Sequence, residues 1–161
     1  MSLTTADRRS PQSWLLLALF IAVVLGVGGL IGTTFRPGTW YAELEKPPFN
    51  PPNWVFGPVW STLYVMIGIA GWRVWTSDPK SRATKLWCVQ MVLNWAWTPI
   101  WFGANQPWAA LIVILILLAS IIGFIVASWN RDRLAALLFM PYLAWVAFAT
   151  LLNASIAVLN S

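Results

Sequence analysis

Trp40–Tyr64 reads WYAELEKPPFNPPNWVFGPVWSTLY. It opens as an aqueous loop in which the prolines at 47, 48, 51 and 52 fix φ and remove backbone donors, while Trp40, Tyr41 and Phe49 supply apolar anchors. That combination predicts an ordered cover rather than a loose linker. From Trp54 the pattern turns into an apolar helix, with Pro58 in its first turn and Trp60, Tyr64, Gly68 and Gly71 along one face. The stretch is therefore both a lid and the wall of whatever lies beneath it.

The rest of the chain supplies the medium for that wall. Of 161 residues 59% are apolar and 9% charged, with a mean hydropathy of +0.69, far from the roughly 25% charge of soluble domains. We expect an all-α integral membrane protein, a bundle of five transmembrane helices forming one domain over 1–161. The expected helices are 14–34, 54–75, 83–103, 107–129 and 133–159, with 35–53 as the lid loop. The first apolar run exceeds a signal-peptide core and lacks a clear cleavage site, so it reads as a mature helix. Short connections make successive helices antiparallel neighbours.

Several functions are disfavoured by what is missing. Histidine is absent and Cys88 is the only cysteine, which leaves no intrachain disulfide and no metal-ligand cluster. No charged group lies deep in a span, against proton pumps and charged filters, and there is no P-loop and no nucleophile beside a base. The net charge of +5 is explained without nucleic acid. Asp7, Arg8 and Arg9 precede the first helix, Arg73, Asp78, Lys80, Arg82 and Lys85 surround the second connection, and Arg131, Asp132 and Arg133 form the fourth. On the opposite side Arg36 and Lys46 are offset by Glu43 and Glu45. The positive-inside rule puts the N-terminus in the cytoplasm, and the lid loop and C-terminus outside.

Polar and aromatic residues recur at helical spacing. Gln90, Asn94, Trp97 and Trp101 share one face of the third helix, which points inward because lipid-facing amides are costly. Tyr142, Trp145, Ala149 and Asn153 share a face of the fifth, where Pro141 can kink the helix, and Pro99 bends the third near its outer end. Gly28 and Gly32 form a GxxxG pair that allows close approach, either to a helix of the same subunit or across a dimer seam. The fourth helix is nearly pure hydrocarbon and reads as a lipid-facing wall or oligomer surface. Trp14, Trp54, Trp72, Trp75, Trp87, Trp108 and Trp129 lie near expected helix ends and read as interfacial belt residues, and Arg73 as a snorkelling anchor.

Alternating helix directions then bring Gly28, Trp60 and Trp97 to similar depths, about 9 Å below the outer ends at 1.5 Å per residue. The expected pocket is walled by Trp60, Tyr64, Trp97 and Trp145, with Asn94 and Gln90 as amide partners and the loop as lid. Such walls suit a flat, largely apolar ligand. Plain helix packing is the competing reading for the tryptophans, and interhelical glue for Asn94.

The lid stretch, LNWAWTPIWFG at 93–103 and PYLAWVAFATLLN at 141–153 together resemble the TspO/MBR family. These are the tryptophan-rich sensory proteins and translocator proteins, historically the peripheral benzodiazepine receptors. The resemblance covers roughly 14–155. It implies a five-helix bundle, commonly dimeric, whose pocket binds tetrapyrroles such as protoporphyrin IX and haem, drug-like isoquinolines and benzodiazepines, and in animals cholesterol. By match, the pocket residues are Trp60, Asn94, Trp97, Trp145 and Ala149, with Trp40, Tyr41 and Pro47 in the lid pattern. Some bacterial relatives degrade bound porphyrin in light, which by match would make Trp60 and Trp145 the photochemical candidates. No Lys or Arg follows Tyr142, so the basic end of the animal cholesterol pattern is missing.

The expectation is a receptor or carrier for tetrapyrroles in a stress, oxygen or light response, with no obligate cofactor and the tetrapyrrole as ligand. A light-dependent porphyrin-degrading enzyme and a ligand-stabilised scaffold are the alternatives. Expected partners are membrane lipid, porphyrin or haem, and a second copy of the chain, but no nucleic acid. The expected place is a bacterial cell membrane.

Overall fold

The structure is a computed structural model and describes residues 8–161; of the charges considered above, Asp7 lies outside them. Helix α1 (Pro11–Thr34) is followed by a single short helix α2 (Thr39–Glu43) within the lid, then α3 (Asn53–Ser77) and α4 (Arg82–Thr98). A π-helical turn (Pro99–Gly103) extends α4; α5 (Pro107–Ser128), α6 (Arg133–Leu138) and α7 (Met140–Leu159) complete the chain. Among the described residues four stretches are long and apolar enough to cross a membrane: Pro11–Thr34, Asn53–Ser77, Pro107–Ser128 and Arg133–Leu159. With the family relationship given below, they make this an integral membrane protein. α4, the expected third crossing, is the polar helix of the set and has 17 residues before the π turn.

Local chemistry explains the element ends. Ser10, Ser81 and Asp132 cap α1, α4 and α6 by accepting from the backbone N–H of Ser13, Thr84 and Ala135. Pro99 does more than bend α4: the backbone widens, and the Ala104 N–H reaches back to the Pro99 carbonyl at 2.8 Å. The kink foreseen at Pro141 falls two residues earlier. The fifth expected helix is divided at Phe139 because Pro141 offers no N–H to the carbonyl four residues before it. Asn105, in the connection to α5, takes a positive φ of 54°, a conformation asparagine tolerates. Pro58 is the sixth residue of α3, in its second turn rather than its first, since α3 begins at Asn53, one residue before the expected start.

α1 packs on α3, α3 on α6 and α7, α7 on α5, α5 on α4, and α4 returns to α1 and α3. The core runs through Val24, Leu63, Ile67, Met91, Ile121, Phe124, Phe139, Tyr142 and Val146. Two sequence expectations change here. α5 is not merely a lipid-facing wall: Ile114, Leu117, Ile121 and Phe124 are buried, while Ile112, Leu115, Ile116 and Val126 point outward. Its residues are so uniformly apolar that composition hides which face is which. Trp72 and Trp87 are also not belt residues. Trp72 is buried and stacked on Trp14 at 6.2 Å, and Trp87 donates to the Ile67 carbonyl while its indole fills the space above Gly71. Trp14, Trp54, Trp75, Trp108 and Trp129 are exposed.

Arg73 is likewise not a snorkelling anchor. Its guanidinium clamps Asp132, with Nε 3.0 Å and Nη2 2.9 Å from carboxylate oxygens, and Arg8 reaches the same carboxylate at 3.1 Å. Asp132 is buried, so one carboxylate neutralises part of two converging cations and ties the start of the chain to α3 and α6.

Candidate functional site

A cavity of about 400 Å³ lies beneath the lid, walled by α1, α3, α4 with its π turn, α5 and α7. Tyr41, Trp60, Tyr64, Asn94, Trp97, Trp145 and Ala149 all reach its wall, as do Gly28 and Gly32. The three remaining residues singled out in the sequence do not. Gln90 is fully buried behind the wall, Trp40 lies edge-on to Trp101, and Pro47 is a buried corner of the lid.

The indoles form an ordered surface. Trp97 stacks on Trp101 at 5.5 Å with 12° between planes, Trp60 lies 5.4 Å from Tyr64, and Trp145 meets Phe56 edge-on at 5.7 Å. Trp97 is oriented by its N–H, which donates to Asn153 Oδ1 at 3.1 Å; the Asn153 amide donates in turn to the Pro107 carbonyl. Trp145 Nε1 is buried and has no hydrogen-bond partner among the described residues.

One chain of hydrogen bonds crosses the bundle below these rings. The Tyr64 hydroxyl donates to Asn94 Oδ1 at 3.0 Å, Asn94 Nδ2 donates to the Tyr142 hydroxyl at 2.8 Å, and that hydroxyl donates to Gln90 Oε1 at 2.9 Å. Gln90 Nε2 ends the chain on the Trp87 carbonyl at 2.9 Å. α3, α4 and α7 are thus joined by a run of satisfied groups, the condition under which buried polar side chains stabilise a core. Asn94 both faces the cavity and fastens helices, which unites the two readings its position allowed. Tyr142 is the residue the sequence undervalued: its place on the Trp145 face was visible, but not its pairing with both amides of α4.

Gly28 has a specific duty. A Cβ there would collide with the Tyr64 ring, so its missing side chain lets that ring seat against α1 and its hydroxyl meet Asn94. Gly32 has no atom within 4 Å of where a Cβ would stand and opens onto the cavity. The two halves of the GxxxG pair therefore differ in role. Along the α1–α3 side the wall includes Gly29, Gly32, Gly57 and Ser61, all exposed outward, whereas Ile114 and Leu117 of α5 close it behind. Those α5 residues carried no signal in a uniformly apolar run.

Besides the Trp40–Trp101 contact, two features hold the lid. Tyr41 is buried on the inner side of α2, edge-on to Phe102 at 5.4 Å, and burial raises its phenol above the usual 10.0; its hydroxyl donates to Asn50 Oδ1 at 3.4 Å. At the chain end, the Asn160 amide accepts from the Glu45 N–H and donates to the Glu45 carbonyl, both at 2.9 Å. This latch joins the lid to α7.

A helical membrane protein enclosing a ligand-sized, indole-walled cavity beneath a proline-rich lid is the class that fold and site define. The profile of the TspO/MBR family matches residues 18–159. The chain is 38% identical to protein CrtK of Rhodobacter capsulatus over 142 residues, covering 86% of this chain and 89% of that protein. It is 40% identical over 149 residues to the tryptophan-rich protein TspO of Archaeoglobus fulgidus, covering 91% and 97% respectively. The human translocator protein is 40% identical over 144 residues, covering 84% and 85%. The chain belongs to the TspO/MBR family.

Proposed function

We propose that this protein is a membrane receptor or carrier for tetrapyrroles such as protoporphyrin IX and haem, acting in a stress, oxygen or light response. The observation that carries the reading is the cavity: its volume of about 400 Å³ lies in the range of small-molecule sites, and its broad indole faces suit a flat conjugated ring. Trp60, Trp97 and Trp145 supply the apolar contact, Tyr64 and Asn94 the polar edge, and Ala149 leaves room. In this reading α4 and its π turn form a fifth crossing, because a helix with an inward amide face crosses lipid when its partners satisfy those amides. The N-terminus lies in the cytoplasm, the lid and C-terminus outside, and the chain works as a homodimer in a bacterial cell membrane.

The test is titration of the purified protein in detergent with protoporphyrin IX, followed by tryptophan fluorescence, with Trp145→Phe and Trp14→Phe beside wild type. Saturable micromolar quenching that Trp145→Phe weakens and Trp14→Phe leaves unchanged is expected. Non-saturable quenching, equal in all three, would refute the reading and leave a scaffold. Flux across proteoliposomes no faster than leakage from empty ones would remove the carrier function.

A second reading is favoured by Trp60 and Trp145 facing one cavity: light-dependent oxidation of bound porphyrin by dioxygen. It requires loss of the porphyrin absorption band with a distinct product. A rate unchanged by Trp60→Phe would sink it.

A further inference from the structure

A second cavity, of about 450 Å³, lies on the water side of the first between the lid and the start of α3. The two share Pro37, Tyr41 and Asn53, so they adjoin at these residues. The lining differs sharply in character. The inner cavity is mainly aromatic and aliphatic; the outer one presents the Lys46 ammonium and the amides of Asn50 and Asn53 among prolines.

Lys46 is placed rather than free to roam. Its ammonium donates to the Leu44 carbonyl at 2.9 Å and the Ala42 carbonyl at 3.3 Å, and it sits 4.6 Å from the centroid of the Tyr41 ring. Two of its three N–H groups are spent on neutral carbonyls, which leaves one donor and the whole charge. Among the described residues the ion pairs are those of Arg8 and Arg73 with Asp132, at the other end of the bundle. Glu43 and Glu45 are near in sequence and exposed, yet neither pairs with Lys46. Among the described residues the half-buried cation therefore has no anionic partner. Asn53, common to both cavities, makes no side-chain hydrogen bond among the described residues and is available as a second donor.

We propose that the outer cavity is a carboxylate subsite: Lys46, aided by Asn53, receives an acid group of a ligand whose flat apolar body fills the indole-walled cavity. The ligand class is thereby narrowed to amphipathic ring systems bearing carboxylates, and neutral analogues of the same shape bind less well. The proposal rests on the tetrapyrrole reading above and adds charge selection to it. The inner polar groups cannot supply that selection, because Tyr64, Asn94, Tyr142 and Gln90 are uncharged and bonded to one another.

The experiment uses the full chain in neutral detergent with two probes, protoporphyrin IX and its dimethyl ester, which share the ring and differ in charge. Wild type, Lys46→Met and Lys46→Arg are titrated with each. Wild type should bind the free acid about tenfold more tightly than the ester, the scale of one charge-assisted hydrogen bond. Lys46→Met should weaken acid binding by about that factor and leave the ester within about twofold, while Lys46→Arg keeps the preference. Saturable binding with no acid preference in wild type, or equal weakening of acid and ester by Lys46→Met, overturns the subsite and leaves the tetrapyrrole reading standing. Failure of both probes to saturate wild type overturns that reading itself, and the subsite with it.

Discussion

Replacing Tyr142 by phenylalanine tests whether the hydrogen-bond chain holds the bundle together or merely decorates it. The hydroxyl of this fully buried residue accepts from Asn94 Nδ2 and donates to Gln90 Oε1. Its removal strands two groups at once, both on buried residues of α4. A stranded buried group costs about 1–3 kcal/mol in soluble proteins, but interhelical bonds in membranes average only about 0.6 kcal/mol. Two losses then bracket the effect between about 1.2 and about 6 kcal/mol. Tyr64→Phe is the internal control. It breaks one bond, and the acceptor it strands, Asn94 Oδ1, belongs to a residue lining the cavity, where water can replace the phenol; about 0.5 kcal/mol is expected. Unfolding by increasing SDS in mixed micelles, read by tryptophan fluorescence, compares the two variants with wild type. Tyr142→Phe should lower the midpoint well below that of Tyr64→Phe. Equal midpoints, or a Tyr142→Phe protein as stable as wild type, would refute the claim that this network fastens α3, α4 and α7.

Gly28→Ala should cost about 1–3 kcal/mol by overpacking against the Tyr64 ring, while Gly32→Ala, with no atom within 4 Å of the new methyl, should be near neutral; equal losses in the same SDS assay would contradict the close approach. Asp132→Asn leaves Arg8 and Arg73 facing each other without their shared charge. Because those side chains are 34% and 21% exposed, about 2–3 kcal/mol is expected rather than the roughly 3–5 of a fully buried pair, and a thermal midpoint equal to wild type would exclude the clamp. Asn160→Ala should speed hydrogen exchange at the Glu45 amide with less than about 1 kcal/mol of global destabilisation; unchanged protection there would remove the latch. Finally, the Tyr41 phenol should ionise above 10.0 because burial disfavours its charged form. Its contribution to lid stability is complete below pH 10 and is lost as pH rises through the raised value. Subtracting the Tyr41→Phe tyrosinate absorbance titration from that of wild type isolates this group, and a midpoint at or below 10.0 would disprove the burial.

The helices were legible because the long apolar runs are local signals; the Ser10, Ser81 and Asp132 caps that start three of them are equally local, but they were not used. The cavity was legible in part for a similar reason. Trp60 with Tyr64, Asn94 with Trp97, and Trp145 with Ala149 each recur at helical spacing, so a face could be assigned and the faces turned toward one another. What escaped the sequence depends on partners far away in the chain. Gln90 and Asn94 lie on one face, yet only the placement of Tyr142 decides that the first is sealed behind the wall. Arg73 has the sequence context of an interfacial anchor, and its pairing with Asp132 across 59 positions is a tertiary fact. Ile114 and Leu117 were invisible because every neighbour in α5 is equally apolar, which leaves no contrast for periodicity to detect.

The two ends of the cavity divide its work along physical lines. At the deep end the polar atoms are consumed in a closed chain from Tyr64 to the Trp87 carbonyl, so a ligand gains shape and stacking there but few vacant donors. Such a base is rigid, since moving any member strands the next. The lid end is built differently: short α2, proline turns and a latch through exposed Asn160, with Lys46 outside any ion pair among the described residues. Most of the lid is exposed apart from Tyr41 and Pro47, and exposed elements open at lower free-energy cost than a buried network. In the proposed reading, entry and charge selection belong to the lid, and ring recognition to the indoles beneath it. A substitution in the deep network should alter stability before it alters ligand preference, and one at Lys46 should do the reverse.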